Sequence, residues 1–246
     1  MASPIPLPPL VIFCGGQGLR LRSQSDDLPK PLLPVGPRPV LWHVIRYYAC
    51  FGVRRFILLT GYRGEMIAQA FAPGGSLLPA DCAIHCLPTG ESSTTGERLR
   101  AVASSLRSES VFFATYSDGL ADLDLRALFE FHARHGCIAT LTAVRPFSPF
   151  GMLQITPQGQ VTGFAEKPRL EQRINGGFFV FTPAVFDYLR PGEPLEGEPM
   201  RALSAAGQLM AYLHDGFWAC MDTYKDQQDL TRLWDTSQAP WKIWKE

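Results

Sequence analysis

Gly15-Gly16-Gln17-Gly18 runs directly into Arg20, and Lys30 follows a little further on, between Pro29 and Pro31. Glycines lack a Cβ, so their backbone N–H groups can come close to a ligand and positive φ costs little. The flanking prolines are expected to hold Lys30 in extended backbone. Bare N–H groups and two fixed cations suit a polyphosphate, which makes nucleotide chemistry the leading reading. The loop is not a P-loop, because the Gly-Lys-Ser/Thr ending is missing. It is not a dinucleotide fingerprint either, because Leu21 stands where the third glycine belongs. The plainer alternative is an ordinary strand-to-helix turn with a solvated arginine.

Carboxylates come next. Asp118 precedes Gly119 at the end of an apolar run, close to Asp122 and Asp124, and Asp222 stands in Cys220-Met221-Asp222-Thr223. A hard cation such as Mg²⁺ takes oxygen ligands and binds through one or two carboxylates plus substrate phosphates. Taken alone, Asp118 also fits an Asp-Gly turn and Asp222 a helix N-cap. Lys167 lies between Glu166 and Pro168, where a solvated strand end would explain it equally well. Asn175-Gly176-Gly177 is either a hairpin turn or an amide presented to a sugar hydroxyl. Cys82 and Cys86 flank His85, but no second ligand pair follows at zinc-finger spacing. His132 and His135 fall near a helix end, where a solvated or dipole-facing role is expected.

These residues need elements to hold them. A chain of 246 residues with 46% hydrophobic and 19% charged side chains folds as a globular protein. Lysine plus arginine and aspartate plus glutamate number 23 each, so there is no footprint for nucleic acid or an anionic membrane. The proline-rich start has no basic n-region, and no apolar run approaches a membrane span, so a cytoplasmic protein is expected. Six scattered cysteines, mostly in apolar segments, read as reduced thiols.

Leu10-Val11-Ile12-Phe13 reads as a buried strand that ends at the glycine loop. Strands at 56–60, 82–87, 111–116 and 138–144 alternate with helices that open near Pro39, Arg63, Gly96 and Asp124. That alternation predicts βαβ units and a mostly parallel sheet. Beyond Phe150 the pattern turns more antiparallel, with a hairpin from Met152–Thr156 and Val161–Ala165 around Pro157-Gln158-Gly159-Gln160. A strand at 177–181, helices opening at Pro183, Pro199 and residue 224, and a strand at 209–214 complete one α/β domain over 1–246. The change of pattern divides it into halves at 10–145 and 146–246. Ligands of open α/β sheets lie beyond the carboxyl ends of the strands. The rule gathers the glycine loop, Ser117-Asp118-Gly119 and Glu166-Lys167-Pro168 at one sheet edge.

Five segments in order resemble the motifs of the sugar-1-phosphate nucleotidyltransferases. They are Gly15–Leu21, Leu28-Pro29-Lys30-Pro31, Tyr116–Gly119, Phe164–Pro168 and Ile174–Phe178. Further segments are similar to the glucose-1-phosphate cytidylyltransferases within that family: Pro39–His43, Thr89–Gly96, Gly216-Phe217-Trp218 with Met221-Asp222-Thr223, and Ala239–Lys242. The resemblance runs from about residue 10 to the C-terminus and implies a Rossmann-like fold of the glycosyltransferase-A type, with a nucleotide-binding half at 10–145 and a sugar-phosphate-binding half at 146–246. It implies attack by the phosphate of glucose 1-phosphate on the α-phosphorus of CTP, with loss of pyrophosphate. UTP, dTTP or GTP, another phosphorylated acceptor, or a non-catalytic nucleotide-sugar sensor are the alternatives.

Carried over by position, the resemblance implies that Gly15, Gly16 and Gly18 hold the nucleotide, with Arg20 on the departing pyrophosphate and Lys30 on the transferring phosphate. Asp118 and Asp222 would bind Mg²⁺, Glu166 and Asn175 the sugar hydroxyls, and Lys167 the sugar phosphate. Glu91 and Gly96 would serve the base and ribose. A homo-oligomer is the expected assembly. Two departures stand out: Leu19 replaces the family's threonine before the loop arginine, and the stretch between Phe71 and Thr89 is shorter than in the cytidylyltransferases. The apolar tail around Trp234, Trp241 and Trp244 is expected to pack on the core.

Overall fold

The computed structural model describes residues 7–16, 28–74, 77 and 81–244. Its elements in chain order begin with strand β1 (Leu10–Cys14), a 3-10 turn (Lys30–Leu32), the two-residue strands β2 (Pro34–Val35) and β3 (Arg38–Pro39), and helix α1 (Val40–Phe51). Then come β4 (Arg55–Thr60), α2 (Gly64–Ala70), β5 (Ala83–Pro88), α3 (Thr95–Ala101), α4 (Ala103–Leu106), β6 (Phe112–Tyr116), β7 (Gly119–Ala121), α5 (Leu125–His135) and β8 (Ala139–Val144). The remainder is β9 (Met152–Ile155), β10 (Val161–Ala165), β11 (Ile174–Asn175), β12 (Phe179–Phe181), a 3-10 helix (Pro183–Tyr188), α6 (Glu198–Ala205), β13 (Leu209–His214), β14 (Trp218–Cys220) and α7 (Tyr224–Asp235).

The central sheet runs β5-β4-β1-β6 in parallel, then takes antiparallel β12 and continues to β8, which pairs β13 in parallel and β11 antiparallel. This is the expected α/β architecture, parallel where strands and helices alternate and mixed beyond residue 150. β1 is apolar throughout because both of its faces are covered. Leu10, Ile12 and Cys14 enter a core built with α1, α5 and the C-terminal Trp241. Val11 and Phe13 point to the other face, against α3, α4, the 183–188 turn and α6. β11, β12 and β13, all from beyond residue 146, complete the same sheet.

Asp124 caps α5 as expected, accepting from the N–H groups of Arg126 and Ala127, and Gly136 ends the helix in left-handed backbone. The tail around Trp241 and Trp244 does pack on the core, over Trp42 and His43 of α1. Among the described residues no helix is long and apolar enough to cross a membrane.

Four expectations change. Lys30 opens a 3-10 turn instead of lying in extended backbone. Pro29 and Leu33 on either side are extended, and the Leu32 N–H closes the turn on the Pro29 carbonyl at 2.8 Å. A proline inside the first turn is well tolerated, because that position needs no intrahelical N–H. The Met152–Ala165 hairpin forms, but among the described residues β10 pairs only with β9, so Glu166-Lys167 sits on a separate ribbon, not at the edge of the central sheet. The helix expected to open near Gly96 is two, α3 and α4, broken at Val102. His132 is buried, not solvated. With His135 it converges on the Thr140 hydroxyl, at 2.9 and 2.7 Å.

Candidate active site

β1 and β6 are parallel neighbours, so Gly15 after β1 and Ser117-Asp118 after β6 emerge side by side. Asp222 reaches the same place by a short ribbon. β7 follows Asp118 directly and pairs antiparallel with β14, Gly119 opposite Cys220, while the Met221 N–H donates to the Asp118 carbonyl at 3.0 Å. The two carboxylates, more than a hundred residues apart in the chain, are thereby fixed across one rung. Asp222 is not the cap of α7. Thr223 is, in a capping box with Asp226, whose carboxylate also accepts the Asp222 N–H at 3.1 Å. A cap next to a functional carboxylate holds its backbone still.

Lys30 enters between them. Its ammonium contacts Asp118 and lies 2.6 Å from Asp222 Oδ1. Burial opposes charge on Lys30, but the attraction of Asp118 and hydrogen bonds to both carboxylates outweigh it, so the ammonium is held above its ordinary range. Cys220 is the third possible metal ligand here. Ligand atoms of Asp118, Cys220 and Asp222 lie within 4.8 Å of one another. Burial and the nearby Asp118 and Asp222 push the thiol well up from its ordinary range. The two carboxylates are hard oxygen donors, which fit Mg²⁺.

A cavity of about 460 Å³ opens beside this cluster. Gly15, Gly16, Lys30, Asp118 and Glu91 all line it, with Ser93, Thr94 and Thr95 at the start of α3. Thr94 caps α3 in a box with Glu97, which aims the helix N-terminus at the cavity. On the opposite rim the Tyr116 hydroxyl donates to Glu196 Oε1 at 2.5 Å, and Thr95 Oγ1 donates to Glu196 Oε2 at 2.5 Å. Asn175 Oδ1 accepts the Gly177 N–H at 3.0 Å.

Arg98 was not singled out in the sequence and belongs to the site. It is 4% exposed, lines the cavity, and donates to the Thr60, Gly15 and Glu91 carbonyls and the Thr89 hydroxyl. Among the described residues it forms no ion pair. Its guanidinium occupies the space a Gly15 Cβ would need, and Gly61 is pressed on it likewise. Gly15 is therefore a glycine for the sake of Arg98 as well as for any ligand.

The other sequence candidates are placed differently. Gly96 is buried, and a Cβ there would overlap the Glu193 carbonyl. Its part is to let the 192–196 strap close over α3. Glu166 and Lys167 are exposed and pair with each other at 3.3 Å at the end of the β9–β10 ribbon. The ribbon's base is tied down by the Ser148 N–H to Pro168 carbonyl bond at 2.9 Å. Gly18 and Arg20 lie outside the described residues.

Glycine backbone, a half-buried lysine and Asp118 lining one cavity, with Asp222 paired to that lysine at its side, are the parts of a phosphoryl-transfer site. The family model for nucleotidyl transferases matches residues 10–230. The chain belongs to the nucleotidyl transferase family. This nucleotidyltransferase is 40% identical over 256 aligned positions to a glucose-1-phosphate cytidylyltransferase of Salmonella typhimurium, covering 96% of this chain and 99% of the relative. It is 38% identical to a probable glucose-1-phosphate cytidylyltransferase of Bacillus subtilis, with 95% and 99% covered. Its fold is shared with HddC from Yersinia pseudotuberculosis, at a TM-score of 0.73 and 20% identity over 93% of this chain and the whole of the other.

Proposed function

We propose that the enzyme transfers a cytidylyl group from CTP to glucose 1-phosphate, giving CDP-glucose and pyrophosphate. The observation that carries this reading is the meeting of Lys30, Asp118 and Asp222 beside the Gly15–Gly16 cavity. The near full-length similarity to cytidylyltransferases supports the choice of base and acceptor.

A phosphate oxygen of the acceptor attacks the α-phosphorus. The bond to the bridging oxygen breaks in line, and pyrophosphate leaves with the electron pair. The attacking phosphate is already ionised, so no general base is required, and catalysis rests on alignment and neutralisation of charge. Gly15 and Gly16 support the nucleotide, and Arg98 pins that loop to the Thr89–Glu91 wall. Lys30 is the charge nearest the transferring group. Asp118 and Asp222 are the residues that would hold Mg²⁺, which when bound withdraws charge from the phosphoryl oxygens.

Glu91 and Gly96 belong to the base and ribose side, Gly96 by letting the strap pack. Asn175 is assigned to sugar hydroxyls together with Glu166, and Lys167 to the sugar phosphate. The resemblance assigns Gly18 to the nucleotide and Arg20 to the pyrophosphate.

A homo-oligomer is part of this reading. The β9–β10 ribbon carries Phe150, Met152, Leu153, Ile155, Val161 and Phe164 exposed on both faces. An isolated two-stranded ribbon of that composition is marginal in water, and a second copy of the chain would cover it.

Incubation with CTP, glucose 1-phosphate and Mg²⁺, followed by ³¹P NMR, tests the proposal. The expected spectrum gains a diphosphate ester and pyrophosphate in equal amounts. Pyrophosphate and CMP without the ester would contradict transfer to the sugar.

A further inference from the structure

Lys30 occupies the ground between two carboxylates that the reading above gives to a divalent cation. The ammonium touches Asp118 and is 2.6 Å from Asp222, while the candidate ligand atoms span no more than 4.8 Å. A magnesium ion bound to these oxygens at about 2.1 Å would be a near neighbour of the ammonium. The Lys30 and Asp118 side chains are only 13% and 12% exposed, so little water is at hand to screen two cations from each other.

The lysine can leave without unfolding anything. Its backbone is fixed in the Pro29–Leu33 turn, but its stem is four flexible methylenes. It already lines the neighbouring cavity with Gly15 and Gly16. An anion placed there gives the ammonium a second counter-charge, and its departure exposes the carboxylates. Asp222 is 46% exposed, so the pair has an open side.

We propose that Lys30 is a built-in counter-cation that keeps the Asp118–Asp222 pair closed to divalent metal until a polyphosphate draws the ammonium into the cavity. This rests on the assignment of Asp118 and Asp222 to the metal. Metal and nucleotide then bind cooperatively, each raising the other's affinity by the same factor. One side chain thereby couples delivery of positive charge onto the phosphate with opening of the metal site. Metal entry in the absence of nucleotide has to compete with an ammonium held by two carboxylates.

The test needs no turnover. Mn²⁺ alone is titrated into the wild-type enzyme, Lys30→Met, Lys30→Gln and the double variant Lys30→Met/Asp118→Asn, with free Mn²⁺ read by electron paramagnetic resonance. A thermal melt of each protein confirms folding, and Lys30→Gln serves if Lys30→Met does not fold. The single variants are expected to bind Mn²⁺ at least tenfold more tightly than wild type, and the double variant is expected to lose the gain. Equal Mn²⁺ affinity in wild type and single variants would overturn the counter-cation role and leave the metal assignment standing. A lack of Mn²⁺ binding in every folded protein would overturn both. An error in the base or acceptor assignment would change neither result.

Discussion

Loss of the Lys30 ammonium is expected to lower turnover about 10²–10³-fold in Lys30→Ala, the scale for removing a preorganised charge-stabilising donor. Steady-state pyrophosphate release measures it, and a loss of tenfold or less would take Lys30 off the catalytic list. Arg98 works differently, as the only described side chain bonded to Gly15, Thr60, Thr89 and Glu91 together. In Arg98→Met those buried acceptors lose a charged donor, so the fold is expected to weaken by about 2 kcal/mol in urea unfolding. The KM for nucleotide should rise more than kcat falls. An unchanged midpoint with unchanged KM would contradict the clamp. Lys30, Asp118 and Asp222 were legible in the sequence as separate weak signals that gained force from their order along the chain. Arg98 was not legible, because an arginine beside Glu97 and close to Arg100 in a short helix reads as one more solvated charge. Only the fold reveals that the Arg98 side chain runs inward beneath two glycines.

Short elements decide where those residues meet. Helices with clear caps and long apolar strands were readable because their periodicity and end signals agree: α1, α5 and β1 fall where expected. β7 and β14, three residues each, carry no usable alternation, yet they bring Asp118 and Asp222 together. The turn at Lys30 was misread because the usual bias of a residue before proline toward extended backbone gave way to a closed 3-10 turn. The Thr223 capping box is the accessible lever at this scale. Thr223→Ala is expected to cost about 1 kcal/mol in chemical denaturation, and to weaken Mg²⁺-dependent activity through Asp222. Unaltered stability and metal dependence would mean that the β7–β14 pairing alone holds Asp222.

At the scale of the whole molecule, the C-terminal tail closes over α1. His43 is buried beneath it, with Nε2 on the Val35 carbonyl at 2.9 Å and Nδ1 facing the Trp241 indole N–H at 3.3 Å. Burial lowers its pKa to about 4, and His132 is lowered to about 4 likewise. An unfolded histidine takes its proton near pH 6.5, and these folded ones resist until about pH 4. Their contribution is therefore intact above pH 6.5 and is lost as pH falls toward 4, roughly 3 kcal/mol for His43 alone. Urea midpoints of wild type and His43→Gln between pH 7 and 4.5 check this, with a flatter profile expected for the variant and equal slopes contradicting it.

The apolar ribbon sets the other molecular-scale prediction. If a second copy covers it as proposed, Phe150→Asp with Phe164→Asp should shift the mass from light scattering toward the monomer, and an unchanged mass would contradict the ribbon as a subunit contact.

The central claim is the identity of the transferred group. The direct measurement is pyrophosphate release with glucose 1-phosphate and Mg²⁺, run in parallel with CTP, UTP, dTTP, GTP and ATP. With CTP, kcat/KM is expected to exceed that with any other nucleotide by about tenfold or more. Turnover with another nucleotide and silence with CTP would contradict it.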